Sequence, residues 1–319
     1  MSMFHASSQP ASIARRSPLL RLKKWTIAAT GTMAIALSFW GTPGWAADPF
    51  RSSSPRPIGD RTEAAFRAMF EQGNYVAAEE ILRSAESNEP LNHAMRASLA
   101  YLDGDWETLE TSATATRETA EQLLATDPLR GNLYIAVGHF LEGGYLVSTQ
   151  GLISATPAVL GKLQQVFDHL DQAEAISPTD PELNLLRGYM DLMLAVNLPF
   201  SDPNQAIERL RNYAAPPYLA QRGIALGYRD LDEEEEALEA VDQAIALTPG
   251  NPDLYYLRAQ ILVRQGNDQS SLEYFERALA METQMPQVMA NQLAWEHCRA
   301  SNRANNTRRN CTPLLNREQ

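Results

Sequence analysis

A chain of 319 residues is long enough for two ordinary domains or for one extended repeat array. Apolar residues make up 44% and charged ones 21%, close to globular averages, and the dominance of Ala, Leu, Glu, Gln and Arg over Val and Ile favours helices. A net charge of −12 excludes a role that rests on electrostatic attraction to nucleic acid.

The first 46 residues follow the order of an export signal. Basic residues (Arg15, Arg16, Arg21, Lys23, Lys24) precede an apolar run from Trp25 to Trp40, and Gly44-Trp45-Ala46 offers a small-x-small cleavage site. The apolar run is shorter than the roughly 20 residues needed to cross a bilayer. Residues 1–46 are therefore expected to be a cleaved signal peptide, and an uncleaved anchor is the one route to a membrane. Removing their five basic residues leaves 22 of 27 against 39 acidic ones, a net charge of −17. Residues 47–58, with Pro49, Pro55, Pro57 and three consecutive serines, read as a linker.

From residue 59 to 285 the sequence reads as about six helix pairs. The first, 59–90, turns at Gly73-Asn74-Tyr75 and carries Ala78, Leu82 and Ala85. The second, 91–127, turns at Gly104-Asp105-Trp106, and the third, 128–180, closes on Leu170, Ala173 and Pro178. The third carries an insertion near 143–161 that is apolar for a loop, expected either to fold back and fill the array or to dock a partner. The fourth, 181–217, fits if a second insertion lies near 197–203, around Leu198-Pro199-Phe200. The fifth and sixth, 218–251 and 252–285, are the clearest: Ala225, Tyr228, Ala237, Val241 and Ala244 recur 34 residues later as Ala259, Leu262, Ser271, Phe275 and Ala278, and Pro249 ends the fifth. Pro286 then opens a capping helix, 286–300, which covers the last apolar face, and 301–319 reads as a mobile polar tail.

The 34-residue spacing of small, aromatic and proline positions resembles the tetratricopeptide-repeat family. The resemblance implies an all-α, right-handed α-solenoid of helix-turn-helix units that holds other proteins or peptides. The strings LLATDPLRGNLY at 123–134 and DPELNLLRGYMDLMLAVNLPFSDP at 180–203 look like a group of exported tetratricopeptide-repeat proteins of cyanobacteria, which implies a thylakoid-lumen or periplasmic home. In this family the first helix of each pair lines a concave face. The matching positions here include Tyr189, Leu192, Arg222, Arg229, Tyr256 and Arg264, and arginine and tyrosine on a groove suit peptide recognition. The Lys and Asn clamp of the family's chaperone-tail binders is missing, so that ligand does not carry over.

Chemistry is hard to find. His93, His139, His169 and His297 show no metal-binding spacing, so neither a metal nor any other cofactor is expected. His139 and Glu142 share a helix face three residues apart, as surface pairs commonly do. There is no phosphate-binding glycine loop and no Gly-x-Ser-x-Gly. Cys298 and Cys311 are candidates for a disulfide tying the tail to the capping helix. The acidic run Asp230 to Glu236 sits where a second helix begins, so its carboxylates suit the positive end of that helix; a basic partner or a weakly held cation is the alternative. The reading is a non-enzymatic interaction scaffold or assembly factor acting after export. The alternatives are a self-assembling structural solenoid, a homo-oligomer bridging membrane or wall components, and an enzyme with an unrecognised site.

Overall fold

The computed structural model describes residues 48–197 and 203–317. The expected signal peptide and the Leu198-Pro199-Phe200 insertion lie outside the described residues. Those described are helical, without a strand. The helices are α1 (Asp60–Phe66, continued by a π-turn, Arg67–Glu71), α2 (Tyr75–Leu82), α3 (Pro90–Asp103), α4 (Trp106–Leu123), α5 (Pro128–Gln150), α6 (Leu152–Ile176) and α7 (Pro181–Asn197). They continue with α8 (Pro203–Tyr213), α9 (Pro217–Asp230), α10 (Glu234–Leu247), α11 (Pro252–Arg264), α12 (Asp268–Leu279) and α13 (Gln287–Ala304). Each helix packs against the next in sequence, α1 on α2 through α11 on α12, and α13 covers the last pair. No helix of the described residues is long and apolar enough to cross a membrane.

Local chemistry sets the boundaries. The first helix of every pair from the second onward begins at a proline (Pro90, Pro128, Pro181, Pro217, Pro252), where a missing N–H costs nothing because that donor has no partner within the helix. Side chains before several helices accept a first-turn amide: Asn74 from Ala77 (3.0 Å), Asp105 from Thr108 (3.1 Å), Asp127 from Arg130 (3.1 Å) and Asn251 from Asp253 (3.0 Å). Glu234, Glu235 and Glu236 occupy the first turn of α10, so half of the acidic run lies at the positive end of a helix. Small residues let the pairs close. Ala78, Ala113, Ala173, Ala225, Ala237, Ala244, Ala259 and Ala278 are fully buried. A Cβ on Gly223 would lie 2.7 Å from Leu210 and 3.1 Å from the Tyr189 ring, so only glycine lets α9 seat against α7 and α8.

Three expectations are corrected. The stretch 143–161 is not a loop: α5 runs to Gln150, α6 starts at Leu152, and Gly151, at φ 76°, is the whole turn. Part of its apolar surface finds cover on helix faces, Tyr145 on Ala97, Ala100 and Leu109, with Val147 and Val159 facing a cavity, while Ile153 and Leu160 stay exposed. Residues 48–58 are a strap rather than a free linker. Phe50 and Ile58 are buried in the main core, and Phe50 meets Phe66 edge-on at 5.0 Å. The tail is not free either. The capping helix continues to Ala304, Cys298 and Cys311 are joined with their Cα atoms 5.8 Å apart, and Thr312–Asn316 forms a 3-10 turn. Asn291 of α13 donates to the Leu315 and Arg317 carbonyls at 3.2 and 3.0 Å, which fixes the last described residues.

The array also closes on itself. The Tyr75 hydroxyl, from the first pair, donates to the Asp253 carboxylate in the sixth. Asn251 Nδ2 donates to the Phe70 carbonyl at 3.0 Å. Gly73, at φ +63°, passes so close to α11 that a Cβ would stand 2.5 Å from Asn251 Oδ1. The six pairs therefore form a ring.

Candidate functional site

Ring closure turns the inner face into chambers. A cavity of about 840 Å³ runs from Tyr75, Arg222 and Asp253 at the closure to Val147, Val159 and Lys162 of the α5–α6 arm. A second, of about 580 Å³, lies against Phe50, Phe66, Tyr134, Tyr189 and Leu192. Phe70, Phe140, Leu219 and Arg222 stand in both walls. Volumes in this range, with apolar walls and few polar groups, are those of ligand sites.

The polar groups are specific. Tyr189 donates to the Leu219 carbonyl at 2.8 Å, tying α7 to α9. Arg222, one helical turn further along α9, has Tyr189, Asp253 and Tyr75 around it. Burial opposes its charge, and those three more than offset that, so its pKa stands above the usual arginine value. The Asp253 carboxyl is pushed up by burial, against the pull of Arg222 and the Tyr75 hydrogen bond. Its Oδ1 is buried without a partner.

A second polar group holds the strap. Glu182, fully buried at the start of α7, accepts from Arg130 Nε (3.3 Å), the Tyr134 hydroxyl (2.8 Å), Arg56 Nη1 (3.0 Å) and Arg51 Nη1 (3.3 Å). Burial would raise its pKa, and Arg130, Arg51 and Arg56 hold it below the ordinary value. Arg130 also forks onto Glu89 at 2.9 and 2.7 Å, where burial prevails and pushes the carboxyl up. Arg51 pairs with Asp180, and Arg56 Nε with Asp127 at 2.8 Å.

A third lies on the arm. Glu142 accepts from His139 Nδ1 (3.0 Å), Lys162 Nζ (2.5 Å) and Arg117 Nε (3.0 Å). Burial raises its pKa, but those hydrogen bonds prevail and bring it to about 2. The His139 and Glu142 pair thus belongs to a network reaching α4 and α6. No three His, Cys, Asp or Glu side chains among the described residues gather as a metal-binding group.

Of the residues named from helix register, Tyr189, Leu192, Arg222 and Arg229 come together on the wall of the smaller cavity. Arg229 is held by Asp230 at 2.8 Å and reaches Gln260 at 3.3 Å. Tyr256 and Arg264 stand elsewhere. Tyr256 packs 6.1 Å from Phe275 with Glu296 of the capping helix beside its hydroxyl, and Arg264 pairs outward with Asp232 at 2.9 Å. The contributions of Met69, Phe70 and Tyr75 were not legible, because ring closure brings them from the opposite end of the chain.

No curated protein matches the sequence. Among solved structures, the TPR2AB-domain:pHSP90-complex of yeast Sti1 is 18% identical, covering 76% of this chain and 98% of that chain, with a TM-score of 0.31. Within the ring, residues 223–286, which take in most of α9 and all of α10, α11 and α12, match the sequence model of the tetratricopeptide repeat family.

Proposed function

We propose that this chain is a non-enzymatic protein-interaction scaffold, acting after export in the periplasm or thylakoid lumen. It holds an extended peptide or a helix of a partner against the wall formed by Tyr189, Leu192, Arg222 and Arg229. The convergence of those four side chains, from adjacent inner helices, on one apolar cavity carries the reading. Aromatic and arginine side chains at the centre of a desolvated pocket are the usual anchors of protein interfaces. The family match at residues 223–286 agrees with it. The basic-apolar-small order of residues 1–46 and the pairing of Cys298 with Cys311 support the location, since disulfides persist in oxidising compartments.

A photo-crosslinking residue at Leu226, which lines the same cavity, tests the site in native extract. A discrete partner protein, lost on Arg229→Ala, is expected. A partner captured only from the outer face, for instance from Gln243, overturns the assignment.

One observation favours self-assembly as a second reading. On α6, Ile153, Leu160 and Phe167 stand seven residues apart and exposed, Ile153 at 91%. Seven-residue apolar spacing is the seam of helix-on-helix association. Light scattering should show an oligomer that Leu160→Asp reduces to monomer, and a monomer at high concentration would dismiss it.

A further inference from the structure

The capping helix and the tail reverse the charge of the chain. Residues 286–319 hold five arginines against Glu296 and Glu318, a balance of +3, whereas residues 47–285 hold 17 basic residues against 37 acidic ones, a balance of −20. Two of the five arginines are spent within the fold. Arg303 forks onto Asp268 at 2.7 and 2.9 Å, and Arg317 pairs with Glu282 and donates to the Ala290 carbonyl at 3.0 Å. The other three, Arg299, Arg308 and Arg309, are exposed and meet no carboxylate among the described residues; Arg299 lies over the Trp295 ring at 4.6 Å.

The loop that carries Arg308 and Arg309 is held in place. The Asn302 side chain accepts from the Arg309 amide at 3.0 Å and from the Thr307 hydroxyl at 2.8 Å, and donates to the Arg309 carbonyl at 2.7 Å. The bridge from Cys311 to Cys298 anchors the chain two residues further on. A loop fixed in this way loses little further freedom when something binds to it. Arg299 stands one turn before Asn302 on α13, so it shares one side of the cap with that loop. Between α13 and the tail lies a cavity of about 210 Å³, walled by His297, Ser301, Asn302, Thr307, Arg309 and Arg317 among others, with no Asp or Glu in its described wall. Burial and the Arg309 charge hold His297 below its ordinary value, against Glu276, so at neutral pH the charge of the wall belongs to arginine. None of its lining residues stands in either chamber of the ring.

We propose that the cap is a second docking surface, which takes an acidic segment of a partner protein, one Asp or Glu side chain of that segment entering the small cavity against Arg309 and its neighbours meeting Arg308 and Arg299. Guanidinium groups pair with carboxylates through two parallel hydrogen bonds, and these three have none to pair with in their own chain. The rest of the surface is strongly negative and turns an acidic segment away, so the cap is where such a segment can settle. The cavity is concave and of side-chain size, which suits a carboxylate projecting from a peptide and not the flat face of a bilayer. Arginines spread from α13 to the tail also suit several carboxylates in a row better than one small anion. The surface is separate from the inner wall of Tyr189 and Arg229, so either can stand without the other.

Fluorescence anisotropy of labelled hexaglutamate against the purified chain, at an ionic strength of about 0.05 M, tests the proposal. Saturation at about one equivalent, weakening as salt is raised, is expected. Arg308→Glu combined with Arg309→Glu alters two exposed side chains that make no ion pair in the fold, and should weaken binding about tenfold or more. Cys311→Ser keeps every charge and should weaken it severalfold by freeing the loop. Arg229→Ala should leave it unchanged, which separates this surface from the inner wall. Absence of saturable binding overturns the surface, as does undiminished binding by the double variant. Displacement of the peptide by an equal concentration of inorganic phosphate would overturn it in favour of a small-anion site. Capture of phosphatidylglycerol vesicles without peptide binding would overturn it in favour of a lipid surface.

Discussion

The Tyr75 hydroxyl donates to the Asp253 carboxylate across 178 positions of sequence, joining the first helix pair to the sixth. Tyr75→Phe removes that donor and leaves both Asp253 oxygens unmatched in a buried site. A loss of about 1–3 kcal/mol is expected. Urea denaturation should show it as a lower midpoint. An unchanged midpoint would mean that the ring is held by apolar contacts alone.

Glu182 is the point on which Arg51, Arg56, Arg130 and Tyr134 converge. Glu182→Gln leaves three arginines short of a counter-charge, two of them on the strap. A destabilisation of about 3–5 kcal/mol is expected, the cost of breaking a buried ionic group from one side. Release of the strap should expose the bond after Arg51 to trypsin, which cuts it slowly in the unaltered chain. Equal cleavage of the two would show that Phe50 and Ile58 hold the strap without help.

Acid should act through Glu142. Its carboxyl titrates at about 2, below its ordinary 4.5, so its contribution is present above 4.5 and is lost as pH falls toward 2. Glu142→Gln should therefore be less stable than the unaltered chain at neutral pH, by roughly 2 kcal/mol, and the difference should vanish near pH 2. Melting temperatures measured across that range check it. A difference that persists undiminished at low pH would assign the loss to packing instead.

The bridge between Cys298 and Cys311 closes a short loop between the capping helix and the tail. Cys311→Ser should cost about 3 kcal/mol by loop-closure entropy. The first effect should be local, as faster tryptic cleavage after Arg308 and Arg309, with the ring intact. A cooperative collapse of the whole chain at the same temperature would instead make the cap integral to the ring.

The sequence revealed what short-range spacing encodes. Prolines at helix starts, the Ala and aromatic positions repeating every 34 residues, and the register that places Tyr189, Leu192, Arg222 and Arg229 on one inner face all depend on neighbours within a helix pair. What depends on distant partners was invisible. The strap reads as a linker because it is rich in proline and serine, and the carboxylates that hold Arg51 lie 129 and 131 residues away. Gly143-Gly144 reads as a loop, yet both glycines stay helical because their apolar neighbours are covered by α4 and α6. Tyr256 follows the inner-face register, but the capping helix reaches it first.

Closure also bears on how such a chain can change over time. An open stack of units tolerates duplication or loss of a repeat, because each unit answers only to its neighbours. Here the sixth pair must meet the first at Gly73, Phe70 and Tyr75, so a seventh pair would carry Asn251 and Asp253 away from their partners. The number of pairs is thereby locked, and variation is left to the length of individual helices, as the long α5–α6 arm illustrates.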